Sequence, residues 1–467
     1  MKKLSVGSYQ SAAVYDRPLY GKLSKKAFDY EGPERNPVIV IHGFLGSRLR
    51  DSTNDRIIWG KFDGIKSLEF FVEDDLRLLS FPMSKGVPLK DLKNNVVGDS
   101  LLDKIELKLL GMSFHLNAYD GLINTLRQAG YKDANSNSNN AAFQSLYVFE
   151  YDWRRDLSEN AVRLHAFVQE KRRHLKDEYR RLYGLDDYDV RFDIVAHSMG
   201  GLLARYYLRY GGNMMPDDGS SMKLNWEGCA YVNKLIILGT PNMGYLDTCI
   251  ELVNGYQIAP GTGIYPPGVI GTFPSYYQMM PLPETRSLLW KDNPDGVPVD
   301  IYDPQVWKSM GWGLASSAHD KVLKYLLPEV STSRERKSIA FEHLSKCLAR
   351  AKQFAELMKA PAEPPVDVAK FLFLGDAVQT RRIAFVDRAS GKIEVAGYEP
   401  GDGKVLASSA IFDRRDGGEW KHFMDSPIKW HSIFHLPAAH MGITTSATFA
   451  DNLTYCLLSI PNGSRSS

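Results

Sequence analysis

Long apolar runs are missing from this chain of 467 residues. None approaches the roughly 18 consecutive apolar residues that a membrane span requires, so no transmembrane segment is expected. A signal peptide is missing too. Met1-Lys2-Lys3 opens as one would, but Ser5, Ser8, Gln10 and Ser11 deny it an apolar centre. The expectation is a chain that is cytoplasmic, already processed, or exported by a route that leaves no such mark. Cysteine is scarce, and Cys229, Cys249, Cys347 and Cys456 show no C-x-x-C spacing. Neither zinc nor a disulfide framework is indicated. An excess of one charge is also absent. A net charge of +2 gives no global reason for a nucleic-acid partner, and the run Lys171-Arg172-Arg173-His174 reads as the solvated face of a helix. There are no internal repeats, and no cofactor is expected.

What is present is a large apolar fraction, 44% hydrophobic residues against 24% charged, enough for one elaborated domain or two smaller ones. Five apolar stretches read as buried strands: Val38–Ile41, Ser145–Asp152, Val190–Val195, Lys234–Leu238 and Lys370–Leu374. Helical patterns fill gaps between them at Tyr119–Ala129, Asn160–Tyr183 and Gly201–Tyr210. Apolar strands alternating with amphipathic helices predict an α/β fold, a mostly parallel sheet flanked by helices. Such sheets bind ligands at the carboxyl ends of their strands.

One of those ends carries Asp193-Ile194-Val195-Ala196-His197-Ser198-Met199-Gly200-Gly201. A serine on a sharp strand-to-helix turn is a nucleophile elbow, which lifts the hydroxyl above the sheet and points a helix N-terminus at it. Ala196 replaces the first glycine of the usual G-x-S-x-G, and a methyl can often fit there. Ser198 is the candidate nucleophile, and the fold that carries such an elbow is the α/β-hydrolase fold. A serine hydroxyl needs a base to take its proton and a carboxylate to orient that base. In this fold they follow in the order serine, acid, histidine. His319, His343, His422, His431, His435 and His440 are available downstream. His440 lies on a loop before a final helix, Thr445–Leu458, where the base belongs. Asp376 directly follows the fifth strand, and Asp402 sits after an apparent hairpin (Arg382–Val386, Lys392–Tyr398); the residues alone leave both open as the acid. The backbone N–H groups of Phe44 and Met199 are the expected oxyanion donors. His42 and His197 flank the site and read as packing residues. His431 and His435, four apart, could be metal ligands on a helix, but no carboxylate completes such a site and no metal is expected.

The motifs converge on a resemblance. His42-Gly43-Phe44-Leu45-Gly46-Ser47-Arg48-Leu49 with Trp59, Tyr151-Asp152-Trp153-Arg154 and Ala196–Gly201 come in one order. Leu238-Gly239-Thr240-Pro241, Pro274-Ser275, Met280-Pro281, Gly401-Asp402-Gly403 and His440 follow. Together they resemble the lecithin:cholesterol acyltransferase-like family of α/β-hydrolases, which includes phospholipase A enzymes and diacylglycerol acyltransferases. The resemblance spans residues 36 to 458. It implies that the acid is Asp402, and that a lipid ester forms an acyl-serine resolved by water or by an acceptor hydroxyl. Two positions depart from the family pattern: Lys404 stands where Gly-Asp-Gly-Thr has threonine, and no cysteine lies between Ser47 and Trp59 to close a disulfide-bonded lid loop. Ile57, Ile58 and Trp59 could touch a membrane or an acyl chain, or pack in the core.

The expected organisation is an N-terminal extension (1–35), a hydrolase core in two parts (36–244 and 368–467), and an insertion (245–367). The insertion reads as a cap whose apolar inner face receives an acyl chain, with hinges or linkers at Glu329–Lys337 and Ala360–Pro365. Asn135–Asn140 reads as a polar surface loop. The expected function is a serine-dependent acyl hydrolase or acyltransferase on phospholipid or acylglycerol esters, meeting its substrate at a membrane surface. The competing readings are a soluble carboxylesterase and a catalytically silent lipid- or partner-binding protein.

Overall fold

The structure is a computed structural model that describes residues 22–60, 73–102, 104–109, 112–117, 119–134, 144–258 and 264–462. The Asn135–Asn140 loop and the first 21 residues of the N-terminal extension lie outside the described residues. Six strands form the central sheet: β1 (Val38–Ile41), β2 (Leu146–Phe149), β3 (Phe192–His197), β4 (Val232–Leu238), β5 (Ala369–Gly375) and β6 (Ser432–Leu436). They lie in the order β6-β5-β4-β3-β1-β2, and every neighbouring pair is parallel. The order turns back at β1, which pairs Ile41 with Phe149 on one side and with Ala196 on the other. A crevice at the carboxyl ends beside such a reversal is where open α/β sheets bind ligands.

Side chains alternate across a strand, so each strand feeds two cores. Ile39, Ile41, Ile194, Ala196, Leu235, Ile237 and Leu372 face one core with Leu164, Val168, Leu203 and Tyr207. These last four belong to two helices, Leu157–Tyr183 and Met199–Tyr210. Val38, Val40, Val195, Ile236, Phe371 and Phe373 face the other with Leu122, Leu126, Phe449 and Leu453. The helices on that side are Asp120–Gln128 and Ala447–Leu458. In chain order these helices are α1 (Asp120–Gln128), α2 (Leu157–Tyr183) and α3 (Met199–Tyr210). There follow α4 (Asp247–Asn254), α5 (Ser333–Lys359) and α6 (Ala447–Leu458). None of the described helices is long and apolar enough to cross a membrane.

The five expected strands all form, with shifted ends. The second stops at Phe149 because Tyr151-Asp152-Trp153-Arg154 turns inward instead of continuing the strand. Trp153 and Arg154 are fully buried. The Arg154 guanidinium grips Asp152 Oδ2 at 2.8 Å and reaches the carbonyls of Leu78, Leu79 and Ser80. Trp153 Nε1 donates to Ser47 O at 3.1 Å. The motif is a clasp between the sheet and the 47–102 region. Trp59 is a core residue, 3% exposed, with its ring 5.7 Å from that of Trp153.

Two expectations are corrected. His431 and His435 do not share a helix, because Ser432–Leu436 is the edge strand β6 and pairs with β5. The His431 ring instead packs on Phe371, 5.0 Å between centroids. The stretch Glu329–Lys337 is not wholly a linker: α5 begins at Ser333, capped by Thr332 Oγ1 accepting from Glu335 N at 3.2 Å. Thr332 followed three residues later by glutamate is a helix-start pattern. Within 245–367, Leu288–Trp290 pairs with Val378–Val386, which pairs in turn with Ile393–Gly401. Leu288–Trp290 is thereby joined by a sheet to the hairpin that leads to Asp402.

Candidate active site

Ser198 sits between β3 and α3 with φ of 55° and ψ of −125°, a backbone conformation that a non-glycine residue seldom adopts. The turn is held because the helix passes against β1. A Cβ on Gly200 would lie 2.3 Å from His42 O, and one on Gly43 would lie 2.8 Å from Ser198 Cβ. Residue size at these two positions, more than the serine itself, makes the elbow possible.

His440 opens a short 3-10 turn after β6, and Asp402 follows the Val378–Gly401 hairpin. Asp402 is 2% exposed. Its Oδ1 accepts from the N–H groups of Lys404 at 2.9 Å and Val405 at 2.7 Å, which fixes the carboxylate within its turn. Its Oδ2 lies 2.7 Å from His440 Nδ1, and its carbonyl accepts from His440 N at 2.8 Å. With Nδ1–H committed to the carboxylate, Nε2 is left to accept, and it lies 3.0 Å from Ser198 Oγ. Ser198 thus joins two residues more than 200 positions further along the chain in one hydrogen-bonded row. Asp376, the other candidate acid, is outside it: its Oδ2 bonds His435 Nδ1 at 2.8 Å in a half-exposed pair.

Of the two expected N–H donors, Phe44 follows Gly43 on the loop after β1, where a Gly43 Cβ would lie 2.8 Å from Ser198 Cβ, and Met199 is the first residue of α3. Among the described residues neither N–H donates to a protein acceptor. Leu45 has φ of 62°, so the loop around Phe44 is as constrained as the elbow. The Phe44 ring packs on Trp153 at 4.8 Å and on Tyr276 at 4.6 Å, with Tyr256 and Phe273 at 6.3 Å. Tyr256, Phe273 and Tyr276, all within residues 245–367, form an aromatic wall around the Phe44 ring.

His42 and His197 are packing and tethering groups. His42 stacks on Tyr151 at 4.2 Å, and burial lowers its pKa to about 4. His197 is lowered to about 3, first by burial and then by His440. Both imidazoles are neutral at pH 7. Tyr119 is a residue that motif reading did not single out. Its hydroxyl accepts from Gly43 N at 2.7 Å and donates toward His197 Nδ1 at 3.1 Å, so one buried phenol joins the loop of Phe44 to the strand of Ser198. No spacing rule marks a lone tyrosine at a helix start.

Lys404, the departure from the family pattern, binds Glu251 Oε1 at 2.9 Å and Asp247 Oδ2 at 3.2 Å, both on α4. Burial alone would lower its pKa, but Glu251 and Asp247 outweigh that and hold it above the ordinary lysine value. Asp247 also binds Arg381 at 3.0 Å, and the Tyr276 hydroxyl donates to Glu251 Oε2. An ionic cluster therefore ties the Asp402 loop to α4 and to Tyr276, whose ring packs on Phe44.

Residues 108–310 match the family described as lecithin:cholesterol acyltransferase, a stretch that includes Ser198 and ends before Asp402 and His440. Uncharacterized protein YJR098C of Saccharomyces cerevisiae is 24% identical over 63% of this chain, and the chain spans 37% of that protein's length. Among solved structures, the Tle4–Tli4 complex is similar at 13% identity and a TM-score of 0.49, covering 91% of this chain and 99% of that one. EstA from Clostridium botulinum is similar at 12% identity and a TM-score of 0.35, covering 92% and 89%. The strand order and the elbow at Ser198 define the fold. The six-stranded parallel sheet with its strand-to-helix elbow is that of an α/β-hydrolase, and residues 108–310 are similar to the lecithin:cholesterol acyltransferase family.

Proposed function

We propose that this chain is a serine-dependent acyl hydrolase or acyltransferase acting on phospholipid or acylglycerol esters. The observation that carries the reading is the contact row Ser198 Oγ–His440 Nε2 (3.0 Å) and His440 Nδ1–Asp402 Oδ2 (2.7 Å). In this reading His440 takes the Ser198 proton as Oγ attacks the ester carbonyl, and Asp402 holds the imidazolium that forms. The Phe44 and Met199 N–H groups receive the oxyanion, each stabilising the transition state by about 3 kcal/mol. The alcohol leaves with the proton from His440. Water, or a second alcohol, then attacks the acyl-serine with His440 again as base.

The lipid substrate is supported by the family match and by the aromatic wall of Phe44, Tyr256, Phe273 and Tyr276, which suits an acyl chain. We assign the 245–367 segment the role of cap, because α4 is tied to the Asp402 loop through Lys404 and these rings pack on Phe44. The test is fatty-acid release from phosphatidylcholine vesicles by the wild type and by Ser198→Ala. Release by the wild type and none by the variant is the expected result, and an added acceptor alcohol then separates transfer from hydrolysis. Equal release by a folded Ser198→Ala protein sinks the serine mechanism. Turnover of short soluble esters with no release from vesicles moves the assignment to a soluble carboxylesterase.

A further inference from the structure

Behind the sheet ends, at the far end of α3 from Ser198, four cations gather around one small cavity. Arg205 and Arg209 stand one turn apart on α3, each 6% exposed. Lys370 of β5 and Lys429 line the same cavity, about 30 Å³ in volume, with Trp226 beside them. Glu363 is the one acid in the lining; it and the neighbouring Asp367 are exposed. Among the described residues none of the four cations pairs with a carboxylate.

Their hydrogen bonds go to neutral acceptors. Arg205 donates to Asn242 Oδ1 at 2.8 Å and to Met358 O at 3.1 Å. Arg209 donates to Ala360 O at 2.6 Å and lies 5.2 Å from the centre of the Trp226 ring. Lys370 Nζ donates to Val368 O at 3.1 Å. Arg209 Nε is buried without an acceptor among the described residues. Met358 and Ala360 bracket the C-terminus of α5, so the two arginines also cap that helix, whose end carries about half a negative charge. That fraction does not balance two guanidinium groups and two nearby ammonium groups. Like charges at i, i+4 repel, and buried cations without counter-ions are strongly disfavoured. Burial draws the Arg205 pKa down to about 9, with the Arg209 charge adding to the effect.

We propose that the Arg205–Arg209–Lys370–Lys429 cavity is a binding site for a phosphate-type oxyanion, either free phosphate and small phosphate monoesters or the phosphomonoester headgroup of a lipid. Planar guanidinium groups recognise such oxygens in pairs, and lysines add charge. Arg205 and Arg209 lie seven and eleven residues from Ser198 along α3, about 10 Å and about 16 Å at roughly 1.5 Å per residue, so the site is separate from the reacting serine. The proposal does not depend on the catalytic reading, because its test reads binding and not turnover.

The experiment is calorimetric titration of the full chain with inorganic phosphate, against sodium chloride at equal ionic strength, for the wild type, Arg209→Met and Lys429→Met. Saturable binding by the wild type is expected, weakened about tenfold or more by Arg209→Met and about fivefold by Lys429→Met. Lys429 is exposed, so its variant keeps the comparison valid should Arg209→Met fail to fold. A parallel arm measures co-sedimentation with phosphatidic acid vesicles and with phosphatidylcholine vesicles. Retention on phosphatidic acid that phosphate competes away and Lys429→Met weakens identifies the lipid headgroup as the source. Phosphate binding with no such retention identifies a free anion. Absence of saturable phosphate binding together with no selective retention overturns the proposal. So does phosphate binding that both folded variants keep unchanged.

Discussion

At the scale of single residues, the choice between two aspartates is a matter of a few ångströms. Asp376 and Asp402 each hold a histidine, but Asp376 holds His435 at the half-exposed edge of the sheet and Asp402 holds the histidine that reaches Ser198. In the proposed mechanism Asp402→Asn lowers kcat by about 10⁴-fold, the cost of an amide in place of a triad acid. Asp376→Asn keeps the rate within about twofold, since it breaks only an exposed pair. Steady-state rates on one soluble ester decide it, and a dead Asp376→Asn beside an active Asp402→Asn would reverse the assignment. A second residue-scale consequence concerns the buried imidazoles. His42 and His343 are lowered to about 4 and His197 to about 3, in each case chiefly by burial. An unfolded histidine binds its proton near pH 6.5. Below that value the unfolded chain takes up protons that the folded one refuses. The stability from these groups is full above pH 6.5 and is lost as pH falls toward 4. Each contributes a slope of about 1.4 kcal/mol per pH unit in that window. His343 lies away from the serine and bonds Thr272 O at 2.9 Å. Urea unfolding of His343→Gln at pH 7, 6 and 5 is expected to show a slope shallower by that amount. Parallel curves for variant and wild type would refute the assignment.

At the scale of elements, the loop bearing Asp402 and helix α4 are joined by charge. Lys404 is 39% exposed at its side chain, whereas Asp247 and Glu251 are 7% and 12% exposed. Removing the ammonium leaves two nearly buried carboxylates with one remaining cation, Arg381. Lys404→Met is expected to cost about 1–3 kcal/mol, less than a fully buried pair because water reaches the ammonium. Adding Glu251→Gln to that variant restores part of the loss, since the residual charge is what destabilises. Urea midpoints of the two single variants and the double variant measure this; strictly additive losses would show that the pair is not coupled. The same scale explains the Tyr151-Asp152-Trp153-Arg154 motif. Asp152 and Arg154 are both fully buried and answer each other, so the motif fastens elements and does not reach the reacting atoms.

At the scale of the whole molecule, the two cores enclose every thiol. Cys229, Cys249, Cys347 and Cys456 are free and buried. Burial pushes Cys229, Cys249 and Cys456 up to about 12 and raises Cys347 well above the ordinary thiol value. Thiolate is the reactive form, so the folded protein offers almost none at pH 8. A thiol reagent such as dithionitrobenzoate is expected to label none of the four rapidly in the folded chain and all four in guanidinium. Fast labelling of any one without denaturant would contradict this packing. The sheet also sets the global arrangement of the site. The reversal of strand order at β1 puts the ends of β1 and β3 side by side, and with them the Phe44 loop and Ser198.

The amino-acid sequence by itself determined the α/β class, five of the six central strands and the elbow, because these follow from local pattern. Apolar runs mark buried parallel strands, and two glycines after a serine mark a backbone crossing. It also marked Asp402 and His440, through a family motif and a position before the last helix. Tertiary structure alone decided what depends on neighbours far along the chain. The edge strand Ser432–Leu436 is short, half-exposed and recognisable only by its pairing with β5. Which aspartate meets His440, which phenol steadies Gly43, and where Lys404 finds its counter-ions are all contacts across 38 to 157 positions. The gathering of Arg205, Arg209, Lys370 and Lys429 is another such contact. Side-chain chemistry is written in the chain, but charge balance and hydrogen-bond partners are properties of the packed interior, where a low dielectric makes each unmet group costly.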